Sequence, residues 1–120
     1  MAWIETIDVE HATGTLREVY KDVIRKRGKL SNIMRVHSLH PDAMQKHTGL
    51  YYSILFDQSS LSREEREILA VTVSVMNQCP YCIFHHSEAL RCFCNDDSRI
   101  DRFIQDPTSL SLPKKKQIMI

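Results

Sequence analysis

Apolar residues along the first third of the chain recur at intervals of three and four. Leu16, Val19, Tyr20, Val23 and Ile24 form one stripe at helical spacing, the period that lets a helix bury a single face. The run Arg25-Lys26-Arg27 before Gly28 suits the negative end of the helix dipole and closes that element. Ser31 caps a short second helix reaching Val36 or Leu39, and Pro41 fits the first turn of a third that runs to about Phe56. Ser62-Arg63-Glu64-Glu65 has the spacing of a capping box and opens a helix from Arg63 to about Asn77. The β-branched content around Ile68, Leu69, Val71, Val75 and Met76 makes a strand over residues 69–76 conceivable, but the upstream cap favours helix. Pro80 stands where the next helix starts, and Tyr81 to Phe93 continue without a breaker until Asn95-Asp96-Asp97. A short helix from Ser98 turns Ile100, Phe103 and Ile104 inward and stops at Pro107, and Leu112 to Ile120 reads as the opening turns of another. With three glycines and four prolines in all, the chain reads as all-α.

The length of 120 residues fits one domain, spanning residues 1–120. Sixteen basic and fifteen acidic residues are mixed along the chain for a net charge of +1, so no basic face is assembled for nucleic acid. The opening Met1-Ala2-Trp3-Ile4-Glu5 lacks the charged and apolar regions of a secretory signal, and no window reaches the apolar length of a membrane span. The expected location is therefore cytoplasmic. In a reducing compartment four cysteines are not a disulfide framework, and a close pair points to catalysis, redox exchange or metal binding.

The close pair is Cys79-Pro80-Tyr81-Cys82 at a helix start, where amide donors and the helix dipole stabilise a thiolate. A thiolate attacks a peroxide oxygen to give a sulfenic acid, and a neighbouring thiol condenses with it to a disulfide. His86 follows Cys82 by four residues and Cys79 by seven, so all three project from nearly one helix face and an imidazole is within reach of a thiol proton. Glu67, Val71, Ser74 and Gln78 share one face of the preceding helix, and hairpin packing of the two helices brings Glu67 to the thiols. A carboxylate in such a wall is expected to be partly desolvated, which raises its pKa and suits it to proton relay.

Glu67, an eleven-residue spacer, Cys79-x-x-Cys82, three residues and His86 together resemble the signature of the alkylhydroperoxidase D branch of the carboxymuconolactone decarboxylase superfamily. The flanking Leu61-Ser62-Arg63-Glu64-Glu65-Arg66-Glu67, the stretch Cys79 to Leu90, and Asn32 to Leu39 upstream resemble its peroxidase-related subgroup. The resemblance implies an alkylhydroperoxidase-like helical fold, with the CxxC helix packed on the preceding one, assembled into trimers or hexamers. It implies a peroxidase that takes a small hydroperoxide and a dithiol or protein reductant and needs no organic cofactor or metal. Cys82 is then the peroxidatic thiol, Cys79 its partner facing the reductant, and Glu67 with His86 a proton relay. The helix-end argument ranks the thiols the other way, with Cys79 the more acidic. Against family members that continue further, the chain looks C-terminally shortened at Leu110 to Ile120.

Other readings stay open from the residues alone. Cys79, Cys82 and His86 are also a partial metal set, with Cys92, Cys94 or Glu67 as a fourth ligand. His85 points about 100° away from His86 around a helix and reads as a surface or interface residue. Cys92 and Cys94 read as ordinary thiols, and His37, His40 and His47 as packed or solvated side chains. Met34, Met44 and Met76 read as core. A redox sensor, an assembly module or a decarboxylase-like enzyme are the competing functions, and the CxxC argues against the last.

Overall fold

In the computed structural model, which describes residues 2–109, the elements are helical, with no strand among the described residues. Among the described residues six α-helices follow in order: α1 (Gly14–Arg27), α2 (Asn32–Arg35), α3 (Pro41–Leu55), α4 (Arg63–Met76), α5 (Pro80–Arg91) and α6 (Asp97–Gln105). Two 3-10 turns, Val9–His11 and Pro107–Ser109, were not expected. Three residues carry no periodic signal, so nothing in the hydrophobic pattern announces them. The all-α expectation and the six helix positions hold. The anticipated helix start at Leu112 to Ile120 lies outside the described residues. No described helix is long and apolar enough to cross a membrane.

The chain divides into two compact units, Met1–Asp57 and Gln58–Ile120. In the first, α1 packs on α3, and Leu16, Val19, Tyr20 and Val23 join Ala12, Met34 and Met44 in one apolar core. Gly28 ends α1 at φ 77°, and its N–H donates to the Ile24 carbonyl at 2.7 Å. That left-handed conformation costs a residue with a Cβ. The second helix is shorter than expected. Beyond Arg35 the backbone continues only as turns, with His37, Ser38 and His40 N–H groups each donating to the carbonyl three residues back.

In the second unit α4, α5 and α6 pack on one another around Ile68, Val71, Leu90, Ile100 and Phe103. Burying such side chains stabilises by roughly 1.5–3 kcal/mol each. The capping box forms as expected: the Glu65 N–H donates to Ser62 Oγ at 3.1 Å, and the Ser62 N–H donates to Glu65 Oε2 at 2.7 Å. The helix it opens ends at Met76, and Gln78 then takes φ 51°. Gln78 therefore leaves the face it was expected to share with Glu67, and it is exposed. Met76, expected in the core, is 73% exposed because the helix has turned it outward, whereas Met34 and Met44 are fully buried.

Candidate functional site

The turn between α4 and α5 is three residues long, so the two helices run as a hairpin and bring α4 residues beside α5 residues. Pro80 occupies the first position of α5, where its missing N–H is no loss. Cys79 is the cap. Its sulfur accepts the Cys82 N–H at 3.4 Å, in the place where a serine or aspartate oxygen usually serves. The Cys79 and Cys82 sulfurs lie 2.6 Å apart, both half-buried and both free thiols. Little movement separates them from the roughly 2.05 Å of a disulfide bond.

The two thiols differ electrostatically. The Cys82 side chain, then the Cys82 N–H, hold the Cys79 thiol below its ordinary pKa. The Cys82 thiol is pushed up, first by its bond to the Cys79 sulfur and then by burial. This is the ranking that the helix-end argument gives.

Glu67, on α4, is fully buried. Its Oε2 accepts the His86 Nδ1–H at 2.8 Å, and its Oε1 is ion-paired with Arg63 one turn earlier on the same helix. Burial pushes the Glu67 pKa up, but the His86 and Arg63 hydrogen bonds outweigh it, and the net direction is down. The expectation of a raised pKa is thereby corrected. The carboxyl is desolvated as foreseen, yet it is paired on both oxygens, and pairing wins. Arg63 was not singled out for the site, although the i to i+4 Arg-Glu spacing was there to read. His86 is itself one helical turn beyond Cys82, the spacing at which side chains on one face meet.

The remaining candidates sit elsewhere. The Cys92 thiol turns to the Glu88 carbonyl and the Cys94 thiol to the Asp96 carbonyl. Among the described residues no group of three or more His, Cys, Asp or Glu side chains is arranged to hold a metal ion. The His85 ring makes edge contacts with Tyr81 at 4.3 Å and Phe84 at 5.2 Å between centroids. His37, His40 and His47 belong to the first unit. His40 caps α3 through Nδ1, which accepts the Ala43 N–H at 3.2 Å. His37 and His47 share a hydrogen bond at 3.0 Å.

This geometry can be set beside known proteins. The family model of the carboxymuconolactone decarboxylase family matches residues 41–104, more than half of the chain. The chain belongs to the carboxymuconolactone decarboxylase family. The matched stretch of this family member takes in α4, α5 and most of α6, and with them Glu67, both thiols and His86. Two solved structures are similar to it. One, from Ralstonia eutropha JMP134, is described as an alkylhydroperoxidase AhpD core and an uncharacterized peroxidase-related protein. It superposes with a TM-score of 0.78 at 20% identity, covering 95% of this chain and 60% of that one. The other, an uncharacterized peroxidase-related protein from Silicibacter sp. TM1040, gives 0.76 at 22% identity, covering 94% of this chain and 61% of its own. At these identities the likeness establishes the alkylhydroperoxidase-like helical fold. The chain spans about three fifths of the length of either structure. No curated protein sequence matches it.

Proposed function

We propose that the chain is a thiol-dependent peroxidase that reduces a small hydroperoxide through a Cys79–Cys82 dithiol/disulfide cycle. The observation that carries this reading is the pair of free thiols 2.6 Å apart at the start of α5, one turn from a histidine held by a buried carboxylate. His86 Nε2 takes the Cys82 proton, and the Cys82 sulfur attacks the outer peroxide oxygen. The O–O bond breaks, and the alcohol leaves with the proton returned by His86. The resulting Cys82 sulfenic acid is attacked by the Cys79 thiolate, which forms the disulfide and releases hydroxide that solvent protonates. An external dithiol, or a pair of protein thiols, then reduces the Cys79–Cys82 disulfide to the dithiol and is itself oxidised to a disulfide. In this cycle the unequal thiols have complementary tasks: Cys79, the more acidic, resolves, and Cys82 gives up its proton when it attacks.

The working form we propose is cytoplasmic and a homo-oligomer, a trimer or hexamer as the family resemblance implies. Large apolar side chains left exposed within each unit support association: Leu50 and Ile54 in the first, Val73, Met76 and Phe84 in the second. A single-chain mass of 14.0 kDa by light scattering at micromolar concentration would refute the oligomer.

The activity is tested by following hydroperoxide consumption with a dithiol reductant in excess. Multiple turnovers are expected, with a Cys79 to Cys82 disulfide mapped by mass spectrometry, and Cys82→Ser should abolish them. One disulfide formed per chain without further consumption would mark a redox module rather than an enzyme. Wild-type rates in Cys82→Ser would remove Cys82 as the attacking group.

A further inference from the structure

We propose that Arg63 is a positioning residue for the thiol site, fixing Glu67 as a permanent carboxylate so that Glu67 orients His86 rather than carrying protons. The inference rests on the peroxidase reading and assigns Glu67 a narrower task than a relay. Its ground is the pairing of both Glu67 oxygens. The side chain is only 1% exposed, one oxygen is taken by the Arg63 guanidinium and the other by His86 Nδ1–H. To accept a proton, Glu67 has to give up the charge that holds the guanidinium and the imidazole against it, on a side chain itself buried from water. A carboxylate, moreover, only accepts, so His86 bears a proton on Nδ1, and in the neutral ring Nε2 is then the bare nitrogen. That tautomer is the one in which the imidazole is a base toward the thiol one turn away on α5.

Arg63 is placed for this by local sequence alone. It is the first residue of α4, with Glu67 four residues on, and its side chain is 23% exposed at the rim while the carboxylate lies beneath. A guanidinium keeps its charge and presents its donors in a fixed fork that matches a carboxylate. The downward direction of the Glu67 pKa agrees with this arrangement. Removing Arg63 leaves His86 as the carboxylate's partner, and the Glu67 pKa is then expected to rise.

The test uses the full chain in three forms: wild type, Arg63→Met and Arg63→Lys. Long-range proton–nitrogen spectra of the His86 ring and the pH profile of the peroxide reaction are the readouts, with helicity checked by circular dichroism. Arg63→Met is expected to shift the acid limb of the profile upward and erode the Nδ1–H tautomer. Its rate should fall about tenfold or more, part of the roughly 10²–10⁴-fold that a positioned base contributes. Arg63→Lys, which keeps the charge, should restore most of both. A folded Arg63→Met with the wild-type pH profile and His86 spectrum overturns the proposal. Should Arg63→Met not fold, the Glu67 side-chain carbon signal in wild type decides: ionised well below the ordinary glutamate range supports it, and a midpoint at or above that range overturns it. Cys82→Ser, run alongside, reports on the peroxidase reading separately, since wild-type turnover there fails that reading whatever Arg63 does.

Discussion

Helices α3 and α5 begin in the same way, one in each unit. Both open on a proline preceded by a residue whose side chain accepts the N–H of the third helical position: His40 Nδ1 from Ala43 at 3.2 Å, and Cys79 Sγ from Cys82 at 3.4 Å. The backbone device is shared, and only the accepting atom differs. In α3 the cap ends in an exposed imidazole and its work is finished once the helix has started. In α5 the accepting atom is a thiol, so the same N–H that starts the helix also stabilises negative charge on a nucleophile. The buried polar groups of the two units divide along the same line. Ser38 and Tyr20 hold the backbone of Ile7 from both sides, accepting its N–H at 2.9 Å and donating to its carbonyl at 2.6 Å. Glu67 is buried as deeply but is charged, and its partners are a guanidinium and a histidine. Here the neutral buried groups tether the chain, whereas the buried Glu67 is bonded to a histidine of the candidate site.

The largest effect that separates the units is expected at His86. His86→Gln keeps a donor toward Glu67 but offers no base, so peroxide reactivity should fall roughly 10²–10⁴-fold while the melting temperature changes little. Stopped-flow consumption of peroxide measures it, and unchanged kinetics would leave His86 a structural residue like His40. A smaller effect concerns acid stability. Because the Glu67 pKa is depressed in the fold, its stabilisation is complete above the unfolded glutamate value of about 4.3 and is lost as pH falls through the lower folded value. Denaturant titrations of wild type and Glu67→Gln should therefore converge in stability below about pH 4 and diverge above it. A constant difference across that range would contradict the depressed pKa.

The smallest effects are at the caps themselves. His40→Ala should cost about 0.5–1 kcal/mol, the low end of what losing an N-cap acceptor costs, with no change in thiol chemistry. Cys79→Ser, whose hydroxyl accepts the same N–H, should leave helicity intact while removing the thiol proposed to resolve. Chemical denaturation and thiol counting read the two outcomes. If Cys79→Ser melts like a cap deletion, the comparison between the two helix starts is wrong.

The fold was legible where its signals are local. The capping box at Ser62 and Glu65, Pro41 and Pro80 at first helical positions, and the stripe of α1 each act within one or two turns of chain, and each appears where the sequence puts it. What escaped lies at the edges and in the balance of opposing forces. The end of α4 depended on one residue, Gln78, adopting a left-handed conformation that its side chain does not advertise. That single residue removed Gln78 from the site face and accounts for reading α4 one residue too long. For Glu67 the burial was foreseen and its consequence was not. Desolvation and pairing push its pKa in opposite directions, and no spacing rule says which is larger once Arg63 and His86 reach separate oxygens of one carboxylate.

The α4–α5 hairpin also acts as a ruler. Glu67 and His86 stand equally far from the point between Met76 and Asn77, and Ser74 and Cys79, joined by a backbone hydrogen bond at 3.1 Å, straddle that same point. Inserting or deleting one residue anywhere between Glu67 and Met76, or between Pro80 and His86, turns everything beyond it by about 100° and carries one partner off the shared face. Substitutions on the outer surface of this stretch can accumulate freely, but its length cannot drift. The eleven residues between Glu67 and Cys79 are thus a measured distance written in chain units, and indels in this segment should be far rarer than amino-acid changes.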